Sequence, residues 1–586
     1  MNRPEPPVPM ALSTPRIQRR QPRCPPLPGL PPLLARVYAH RGIDDPVQLD
    51  DGLAHLLPYH HLKGIENAVK RLQRALENDE PILVIGDFDA DGATASAVAV
   101  KGLRAMGARV DFLVPDRFRH GYGLTPAIVE EAARQDPRLL LTVDNGIASL
   151  DGVAHAGRLG MEVVITDHHL AGEHLPEAAA IVNPNQPGDD FPSKHLAGVG
   201  VVFYLLAALR ARLRRDGWFQ RRGLPDPALG ELLDLVALGT VADVVPLDRN
   251  NRILVSQGLK RVRAGRCSPG ILALLEAGGR DHRRLQAADF GFVVGPRLNA
   301  AGRLDDMSLG IRCLLAPDLE SARPLAQRLD QLNRRRRDLE DDMRADAERQ
   351  LARLGLEGEL PFGLCLFDPQ WHQGVIGILA SRIKERFHRP VIAFAPGEGE
   401  ELKGSARSVP GVHIRDALDA VATRHPGLLH KFGGHAMAAG LALPRSRLDD
   451  FRAAFDAEIR RRLPPEALGG LIESDGPVAP EELTLENAEA LRRGGPWGQG
   501  FPEPLFDDRF QVCQRRVLKE QHLKLTLQHH RGGPPLSAIL FRYRDHHSDD
   551  IAPEGTWVHA VFQLEINDYQ GLRSVQLLLR HLLPLR

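Results

Sequence analysis

The chain has little of what marks a secreted or membrane protein. Among its 586 residues only five are cysteines, and they are too dispersed for a disulfide framework or a zinc-binding spacing. No apolar run approaches the roughly 20 residues needed to cross a bilayer. Residues 1–32 are dense in proline and arginine and lack the apolar core of a signal peptide, which predicts a disordered tail. We therefore expect a soluble cytoplasmic protein in a reducing compartment, with no membrane contact.

The sequence also lacks an excess of charge of either sign. Its 75 basic and 75 acidic side chains balance, so composition gives no global signature of a protein that binds polyanions. Any nucleic-acid surface must therefore be local. The run Arg334–Arg337 sits among leucines at helical spacing, and we favour a solvated helix face for it over a DNA contact.

The most informative stretch is 81–92, where an apolar run is followed at once by three carboxylates at alternate positions. The apolar half predicts a buried strand, and the residues from Gly92 predict the start of a helix. Asp87, Asp89 and Asp91 would then lie at the carboxyl end of a strand, where open α/β sheets bind ligands. Carboxylates this close repel one another unless a cation neutralises them. The motif thus favours a divalent metal site over a solvated acidic turn.

Three further apolar runs end in residue types that bind metals. The runs are 139–143, 161–166 and 235–242, and they end at Asp144, at Asp167-His168-His169 and at Asp243. We predict that all four runs are strands of one parallel sheet, whose carboxyl ends meet at one edge. Carboxylates with imidazole form a mixed oxygen and nitrogen site, which suits Mn²⁺ and tolerates Mg²⁺.

The tripeptide Asp-His-His is weak evidence without its strand. Asp545-His546-His547 repeats it in a polar setting with no buried strand before it. The pairs His60-His61 and His529-His530 also lie in polar or loop-like settings. Because a ligand pair needs a rigid scaffold, we predict that all three are surface pairs.

The chain resembles the DHH phosphoesterase superfamily, and within it the branch of single-strand-specific exonucleases, over roughly residues 50–586. Some superfamily members carry a histidine where this chain has Ile85. The resemblance to the exonuclease branch implies that Asp87 takes over the role of that histidine. The division of the ligands between two ions stays open. Besides the motifs above, the resemblance rests on residues 114–118 (VPDRF), 121–124 (GYGL), 295–303 (GPRLNAAGR), 374–378 (GVIGI), 404–408 (GSARS), 433–440 (GGHAMAAG) and 495–506 (GPWGQGFPEPLF).

The resemblance implies an exonuclease that degrades single-stranded DNA from 5′ to 3′ in DNA repair and recombination, with one or two Mn²⁺ or Mg²⁺ ions. His169 has three possible roles: it would be a further metal ligand, it would hydrogen-bond the phosphate, or it would protonate the leaving group. Asp167 would orient an imidazole. The implied partners are single-stranded DNA, a single-stranded-DNA-binding protein and a helicase, with the chain as a monomer. The implied metal ligands are Asp87, Asp89, Asp91, Asp144, His168 and Asp243.

A substrate pocket is also implied. Small residues beside Arg407 and His435 let a phosphate approach the backbone closely. Tyr122 lies between two glycines, and both a ring stacked on a base and a tyrosine packed in the turn stay open. Arg297 and Arg303 would face the same cleft and hold the terminal phosphate or the backbone. The full set is Arg117, Tyr122, Arg297, Arg303, Ser405, Arg407, Gly434 and His435.

The predicted fold class is α/β with a C-terminal barrel. We expect a parallel-sheet catalytic DHH domain, a helical connector ending in a long amphipathic helix, a second α/β substrate-binding domain (DHHA1) and a barrel of short strands, for which the resemblance implies a nucleic-acid-binding OB fold. A Pro/Arg-rich tail precedes them. The expected bounds are 1–49 for the tail, then 50–249, 250–354, 355–465 and 470–586.

Two other classes of function compete with the exonuclease. A phosphodiesterase for oligonucleotides or cyclic dinucleotides would share the catalytic body, but the connector and barrel are superfluous for a small ligand. A non-catalytic nucleic-acid binder would need a degraded metal set, whereas every expected acid and the histidine pair are present.

Overall fold

The structure is a computed structural model that describes residues 15–117, 119–357, 359–545, 547, 550–569 and 571–585. The chain forms two compact units. One unit comprises Asp45–Arg335 with Gly494–Glu503, and the other comprises the chain up to Asp44 with Arg336–Arg493 and Pro504–Arg586. Among the helices of the described ranges, none is both long enough and apolar enough to span a membrane.

The first unit contains the predicted parallel sheet. Its two central strands are buried on both faces, which explains why their sequences are unbroken apolar runs. The five strands, all parallel, lie in the order Val110–Leu113, Ile82–Ile85, Leu139–Val143, Glu162–Thr166 and Ala180–Val182. The helices of this domain are Ile65–Glu77, Ala90–Ala105, Pro126–Ala133, Leu150–Arg158, Gly198–Arg215 and Trp218–Arg222.

The fourth apolar run is a helix, so the prediction of a strand there is wrong. Leu233–Ala242 is α-helical, and Asp243 is its C-terminal capping residue. The helix is buried around almost its whole circumference. Its sequence therefore lacks an amphipathic period, and a short apolar run alone does not distinguish a buried helix from a buried strand. Asp243 reaches the site from a helix end instead of a sheet edge.

The connector is helical, as predicted. Its last helix, Leu319–Glu357, is shared by both units because the boundary follows Arg335. Within the arginine run, Arg336 is buried and pairs with Glu340 at 2.7 Å, while the other three are exposed, so the predicted solvated face holds only in part. The other helices are Arg249–Arg263, Pro269–Ala277, Ala287–Asp289, Gly295–Leu304 and Ser308–Leu315, with a π-helical turn at Phe290–Val294.

The second unit contains the second α/β domain. Its mixed sheet has one parallel pair, between its last two strands, and its core includes Phe394, Phe451 and Phe455. The strand order is Lys431–Gly434, Ala438–Pro444, Glu401–Arg407, Val391–Pro396 and Leu364–Phe367, and the helices are Ile376–Phe387, Ile414–Arg424 and Leu448–Arg462.

The C-terminal strands close into a barrel, which confirms the predicted architecture. Buried and half-buried side chains alternate along His522–His529, as a barrel strand with an apolar interior requires. The barrel follows the helix Leu485–Arg493, and its strands are Phe506–Leu518, His522–His529, Leu536–Leu540, Trp557–Tyr569 and Leu572–Leu585.

The N-terminal segment is ordered where the structure describes it, so the prediction of a disordered tail is wrong for those residues. Arg16–Arg19 pairs in parallel with Leu471–Ser474, and Pro32–His40 is a helix. Residues 1–14 of the predicted tail lie outside the described residues.

Long-range ion pairs explain the order of this segment. Arg19 lies 2.7 Å from Asp507, and Arg41 lies 2.8 Å from the buried Asp475. A composition rich in proline and arginine is typical of disorder, but it cannot reveal carboxylates more than 400 positions away in the sequence that neutralise those arginines.

Candidate metal centre

Three loops at one edge of the parallel sheet and two helix ends supply the predicted ligands, with Asp91 in the first turn of the helix Ala90–Ala105. Asp87 follows the strand Ile82–Ile85 after one glycine, and Asp144 directly follows Leu139–Val143. The Asp-His-His tripeptide directly follows the next strand of the sheet. Because these strands are parallel neighbours, their carboxyl ends meet, which is the convergence that the sequence predicts.

His168 lies at the centre of the cluster. Its Nε2 is 3.1 Å from Asp144 Oδ1, 3.5 Å from Asp243 Oδ2 and 4.0 Å from Asp91 Oδ2. Asp144 also belongs to a second group of candidate ligands. That second group, in which the ligand atoms lie within 4.8 Å of one another, consists of Asp87, Asp89 and Asp144.

The carboxyl groups form a buried set of like charges. Burial and repulsion from neighbouring carboxylates raise the pKa of Asp87, Asp91 and Asp144 well above the usual range, and burial raises the pKa of Asp243. Burial lowers the pKa of His168, which favours the neutral imidazole that binds metals. A divalent cation would reverse the repulsion and restore the ionised carboxylates.

Three of these ligand atoms are buried without a hydrogen-bond partner among the described residues: Asp144 Oδ1, His168 Nε2 and Asp243 Oδ2. Although the first two lie 3.1 Å apart, they do not form a hydrogen bond with each other. Buried polar atoms are seldom left unpaired. A hard divalent ion would satisfy all three, so the residues fit Mn²⁺ or Mg²⁺.

Backbone contacts fix Asp91 in this cluster. Its carboxylate accepts the N–H groups of Gly198 at 2.6 Å and Val199 at 3.0 Å, at the start of the helix Gly198–Arg215. Position 198 requires glycine because a Cβ there would lie 2.5 Å from the Cβ of Asp144. The helix terminus therefore holds one ligand and approaches a second.

Sequence reasoning missed three asparagines that support the ligand loops. Asn185 and Asn183 donate to the backbone carbonyls of the two histidines, at 2.6 Å and 2.9 Å. Asn299 accepts the N–H of Ala90 at 2.8 Å, at the start of the helix Ala90–Ala105. Asn299 belongs to a motif that carried the resemblance. The other two follow the strand Ala180–Val182, and that position at the sheet edge is the signal that could have identified them.

Asp167 lies where an orienting carboxylate is needed. Its Oδ1 is 2.8 Å from His169 Nδ1, and it also accepts the backbone N–H groups of Ile147, His168 and His169. Burial lowers the pKa of His169, but the hydrogen bond to Asp167 and the charges of Asp167, Asp243 and Asp87 together outweigh it and raise that pKa to about 9. Asp167 is thus fully used by the protein, whereas the second ring nitrogen of His169, Nε2, faces the Tyr122 hydroxyl at 3.3 Å.

Family models of known proteins match three parts of this chain. Residues 81–240 match the DHH family N-terminal domain, 361–461 the DHHA1 domain and 474–581 the RecJ OB domain. The single-stranded-DNA-specific exonuclease RecJ of Dickeya dadantii is 55% identical over 95% of this chain and 97% of its own. The RecJ of Escherichia coli is 51% identical over 95% of this chain and 96% of its own. The chain belongs to the RecJ family.

A crystal structure of RecJ in complex with Mn²⁺ from Thermus thermophilus has the same fold. It matches with a TM-score of 0.77 and 32% identity over 97% of this chain and 79% of its own. A complex of RecJ with Mg²⁺ from the same organism matches with a TM-score of 0.72. The predicted fold class is therefore confirmed.

Two of the predicted substrate residues of this RecJ-family chain flank Phe88, in the first acidic loop. The guanidinium of Arg117 lies 4.1 Å from the Phe88 ring centroid, and the Tyr122 ring lies 6.0 Å from it on an edge-to-face contact. The Tyr122 hydroxyl is 3.2 Å from His169 Nδ1 and 3.3 Å from its Nε2. Tyr122 is nevertheless 49% exposed, so the ring packs in the turn and still offers surface, and its stacking on a base stays a prediction.

Arg297 is engaged within the protein, contrary to the expectation that it faces a cleft. Its buried guanidinium lies 2.8 Å from Asp330 and donates to the carbonyl of Val293 at 2.6 Å. A buried charge that is already neutralised is a poor site for a further anion. The motif itself gives no sign of this acidic partner. Arg303, in the last turn of the same helix, is half-buried, and its substrate contact stays a prediction.

The sheet of the DHHA1 domain brings the other four predicted substrate residues together. Ser405 and Arg407 lie on one strand and Gly434 ends another, and both strands flank Ala438–Pro444. His435, the next residue, donates its backbone N–H to the carbonyl of Ala438. Arg407 donates to Ser405 Oγ at 3.1 Å, and burial lowers its pKa. In the described part of the chain Arg407 has no carboxylate partner, which leaves its charge available for a phosphate.

The predicted surface pairs have different outcomes. His60 and His61 are exposed, as predicted. His529 is buried, so that prediction is wrong for it: it is on an inward-facing barrel position, with Nε2 3.1 Å from Asp508 Oδ2. The third pair cannot be assessed as a whole, since His546 lies outside the described residues.

The group Asp508, His529 and His530 has the spacing of a metal site but not the protonation state. His529 Nδ1 accepts the backbone N–H of Arg531 at 3.1 Å, so the ring proton of the neutral imidazole is on Nε2, which donates to Asp508. A metal at Nε2 would require that proton on Nδ1 instead. We therefore interpret the group as a hydrogen-bond network within the barrel.

Proposed function

We propose that this chain is an exonuclease that hydrolyses single-stranded DNA from its 5′ end, with one or two Mn²⁺ or Mg²⁺ ions as cofactor. The observation that carries the proposal is the buried cluster around His168, where ligand atoms of Asp144 and Asp243 lack a hydrogen-bond partner among the described residues. The Mn²⁺ and Mg²⁺ complexes of the Thermus RecJ support the choice of ion.

Each residue of the centre has a part in this reaction. Bound ions would supply a water molecule of lowered pKa and offset the charge of the phosphate oxygens. Asp167 holds the His169 ring in place through Nδ1. Since Asp167 raises the pKa of His169 through its hydrogen bond and charge, the ring would donate a proton from Nε2 to a phosphate or leaving-group oxygen. The ions would be held by Asp87, Asp89, Asp91, Asp144, His168 and Asp243.

The polarity rests on the pocket around Arg407. A charge-assisted contact from its guanidinium to a terminal 5′ phosphate would place the first scissile bond for hydrolysis. Arg407→Ala should lower kcat/KM on 5′-phosphorylated strands by roughly 10-fold or more, the loss of one charged hydrogen bond. The Mn²⁺ affinity should not change. Arg452→Ala is the matched control, since Arg452 lies in the same domain and is already paired with Asp449.

Digestion of end-labelled DNA tests the whole proposal. Single strands labelled at either end, with 5′ phosphate or 5′ hydroxyl termini, should be shortened from the 5′ end only, and blunt duplexes should resist. Release of nucleotides from the 3′ end would contradict the polarity. Faster turnover of cyclic dinucleotides or dinucleotides than of long strands would instead identify a small-substrate phosphodiesterase.

The remaining expectations concern the surroundings of the enzyme. We also propose that the chain is monomeric and cytoplasmic and that it acts in DNA repair. The proposed protein partners are a single-stranded-DNA-binding protein and a helicase. Light scattering on the purified chain tests the monomer. Pull-down with each purified candidate partner, in the absence of DNA, tests the contacts.

A further inference from the structure

The ten residues Gly494–Glu503 belong to the catalytic unit, although the chain on either side of them belongs to the other unit. In sequence they connect the helix Leu485–Arg493 to the first barrel strand, Phe506–Leu518. A segment that only linked this helix to the barrel would belong to the same unit as both of them. The segment therefore has a docking site of its own on the catalytic unit.

The segment has a defined internal structure. Gly498 and Phe501 exchange backbone hydrogen bonds of 2.9 Å and 3.1 Å, which closes a tight turn with Gly500 in the left-handed region at φ 73°. The rings of Trp497 and Phe501 stack at 4.9 Å with an angle of 13° between their planes. The turn and the stacked rings preorganise the segment for contact.

The surface that it contacts is the loop after Asp243. The N–H of Leu247 donates to the carbonyl of Gln499 at 2.6 Å. A Cβ on Gly498 would lie 2.8 Å from Leu247 Cδ1, and one on Gly500 would lie 3.1 Å from Pro246 Cβ, so both glycines permit the close approach. The turn thus sits directly on Pro246 and Leu247.

Arg252, in the next helix Arg249–Arg263, contacts both the segment and Leu247. Its guanidinium lies 4.4 Å from the Phe501 ring centroid, a cation–π distance, and it donates to the carbonyl of Leu247 at 3.3 Å. Leu247 is therefore held through its N–H by the segment and through its carbonyl by Arg252. Both hydrogen-bonding groups of this one residue are fixed.

The loop so held is short and strained. Only Val244, Val245 and Pro246 separate Asp243 from Leu247. Val244 has φ 63°, a conformation that a β-branched residue rarely adopts and that persists only where the surroundings enforce it. Its side chain is 63% exposed, so its own packing does little to enforce that conformation. The enforcement comes from hydrogen bonds to the loop, from Asn251 to the carbonyl of Pro246 at 2.9 Å and from Leu247 to the carbonyl of Gln499 at 2.6 Å.

We propose that Gly494–Glu503 is a clip that fixes the loop 244–247 and thereby positions Asp243 for metal binding. The clip rests on the metal-dependent function proposed above. Its aromatic residues Trp497 and Phe501 are positioning residues, because they act on the metal through the loop. The catalytic centre would then depend on a segment that is more than 250 positions away in the sequence from Asp243.

Mn²⁺ binding to the full-length chain, measured by calorimetry without DNA, tests the clip. Phe501→Ala and Trp497→Ala should each weaken Mn²⁺ binding by about 10-fold, the usual cost of losing a group that supports a ligand. Phe501→Tyr keeps a ring over Arg252 and should bind Mn²⁺ as the wild type does. The matched controls are Phe541→Ala, an exposed ring of the barrel, and Trp371→Ala, a buried ring of the DHHA1 domain.

The outcomes separate this inference from the proposed function. If the wild type binds no Mn²⁺, the metal-dependent function fails. If the wild type binds Mn²⁺ and folded Phe501→Ala binds it equally well, only the clip fails. A comparable loss in Trp371→Ala would also overturn the clip, because general destabilisation would then explain the effect. If Phe501→Ala does not fold, the milder Gly500→Ala decides by the same measurement.

Discussion

Asp167 Oδ1 lies 2.8 Å from His169 Nδ1, and the carboxylate is almost fully buried. This contact orients the imidazole and, together with the charges of Asp167, Asp243 and Asp87, raises the pKa of the ring despite its burial. An Asp-His pair of this kind does not need to touch the metal in order to matter, because it determines where the second ring nitrogen points and whether it carries a proton.

Asp167→Asn should therefore impair catalysis more than metal binding. The amide preserves the shape of the side chain but removes the charge that stabilises the imidazolium. We expect kcat to fall by roughly 10-fold to 100-fold, as for other groups that orient a site residue, with nearly unchanged Mn²⁺ affinity. Steady-state digestion and Mn²⁺ titration check this, with the exposed Asp111→Asn as control. Wild-type kcat in Asp167→Asn would contradict the role.

Asp144→Asn should abolish cleavage while leaving the fold and strand binding intact. The amide fits where Gly198 approaches the side chain closely, but it removes one ligand charge from both metal groups. Because burial and repulsion from neighbouring carboxylates raise the pKa of Asp144, its loss should slightly increase the stability of the metal-free protein. Thermal unfolding without metal and digestion assays measure the two effects. Turnover above about a tenth of wild type would exclude a ligand role.

Asp475→Asn should destabilise the protein by detaching the N-terminal segment. The buried carboxylate accepts hydrogen bonds from His40 and Arg41, at 2.9 Å and 2.8 Å. Removing one partner of a buried ion pair costs about 3 to 5 kcal/mol. Urea unfolding at neutral pH measures the loss. An exposed control is Asp449→Asn, which should have little effect.

The pH dependence of stability follows from the same contact. Burial alone would raise the pKa of Asp475, but the hydrogen bonds from His40 and Arg41 lower it far below its usual value. A carboxyl with a lowered pKa in the folded state stabilises the protein above its unfolded pKa of about 3.9, and the contribution is lost as the pH falls below that value. The free energy of unfolding should therefore fall less between pH 6 and pH 3 in Asp475→Asn than in the wild type.

Sequence patterns predict the elements that depend on neighbouring residues alone. The strand Ile82–Ile85 and its acidic loop follow from a buried apolar run that ends abruptly in carboxylates, and the long helix Leu319–Glu357 follows from its leucine spacing. The prediction fails at the helix Leu233–Ala242 because burial on all sides removes the periodicity that distinguishes a helix from a strand.

Features that depend on distant partners could not be predicted. The sequence around Arg19 and Arg297 does not show which carboxylate each arginine meets. Arg19 pairs with Asp507, and Arg297 pairs with Asp330. Each pairing depends on the completed tertiary structure. Asn183 and Asn185 differ from these arginines, because their position after the strand Ala180–Val182 marks the sheet edge, although their contacts with the two histidine carbonyls form only in the folded chain.

Two truncations should separate the contribution of the barrel from that of the clip. A chain that ends at Glu503 lacks the barrel but keeps the segment that sits on Pro246 and Leu247, whereas a chain that ends at Arg493 lacks both. Base stacking contributes about 1 to 3 kcal/mol per base, so loss of several barrel contacts should weaken binding to long single strands by orders of magnitude.

The chain that ends at Glu503 should still hydrolyse very short oligonucleotides, because the metal ligands and Arg407 remain. The chain that ends at Arg493 should lose activity on short and long substrates alike, since Asp243 is no longer held. Both products must first be shown to be folded and monodisperse, because removal of the barrel exposes apolar surface and leaves Arg19 without Asp507. If the longer truncated chain degraded long strands as well as the intact protein, the barrel would not be a DNA-binding module. If both truncated chains were equally inactive on short oligonucleotides, the barrel itself would be needed to complete the active site.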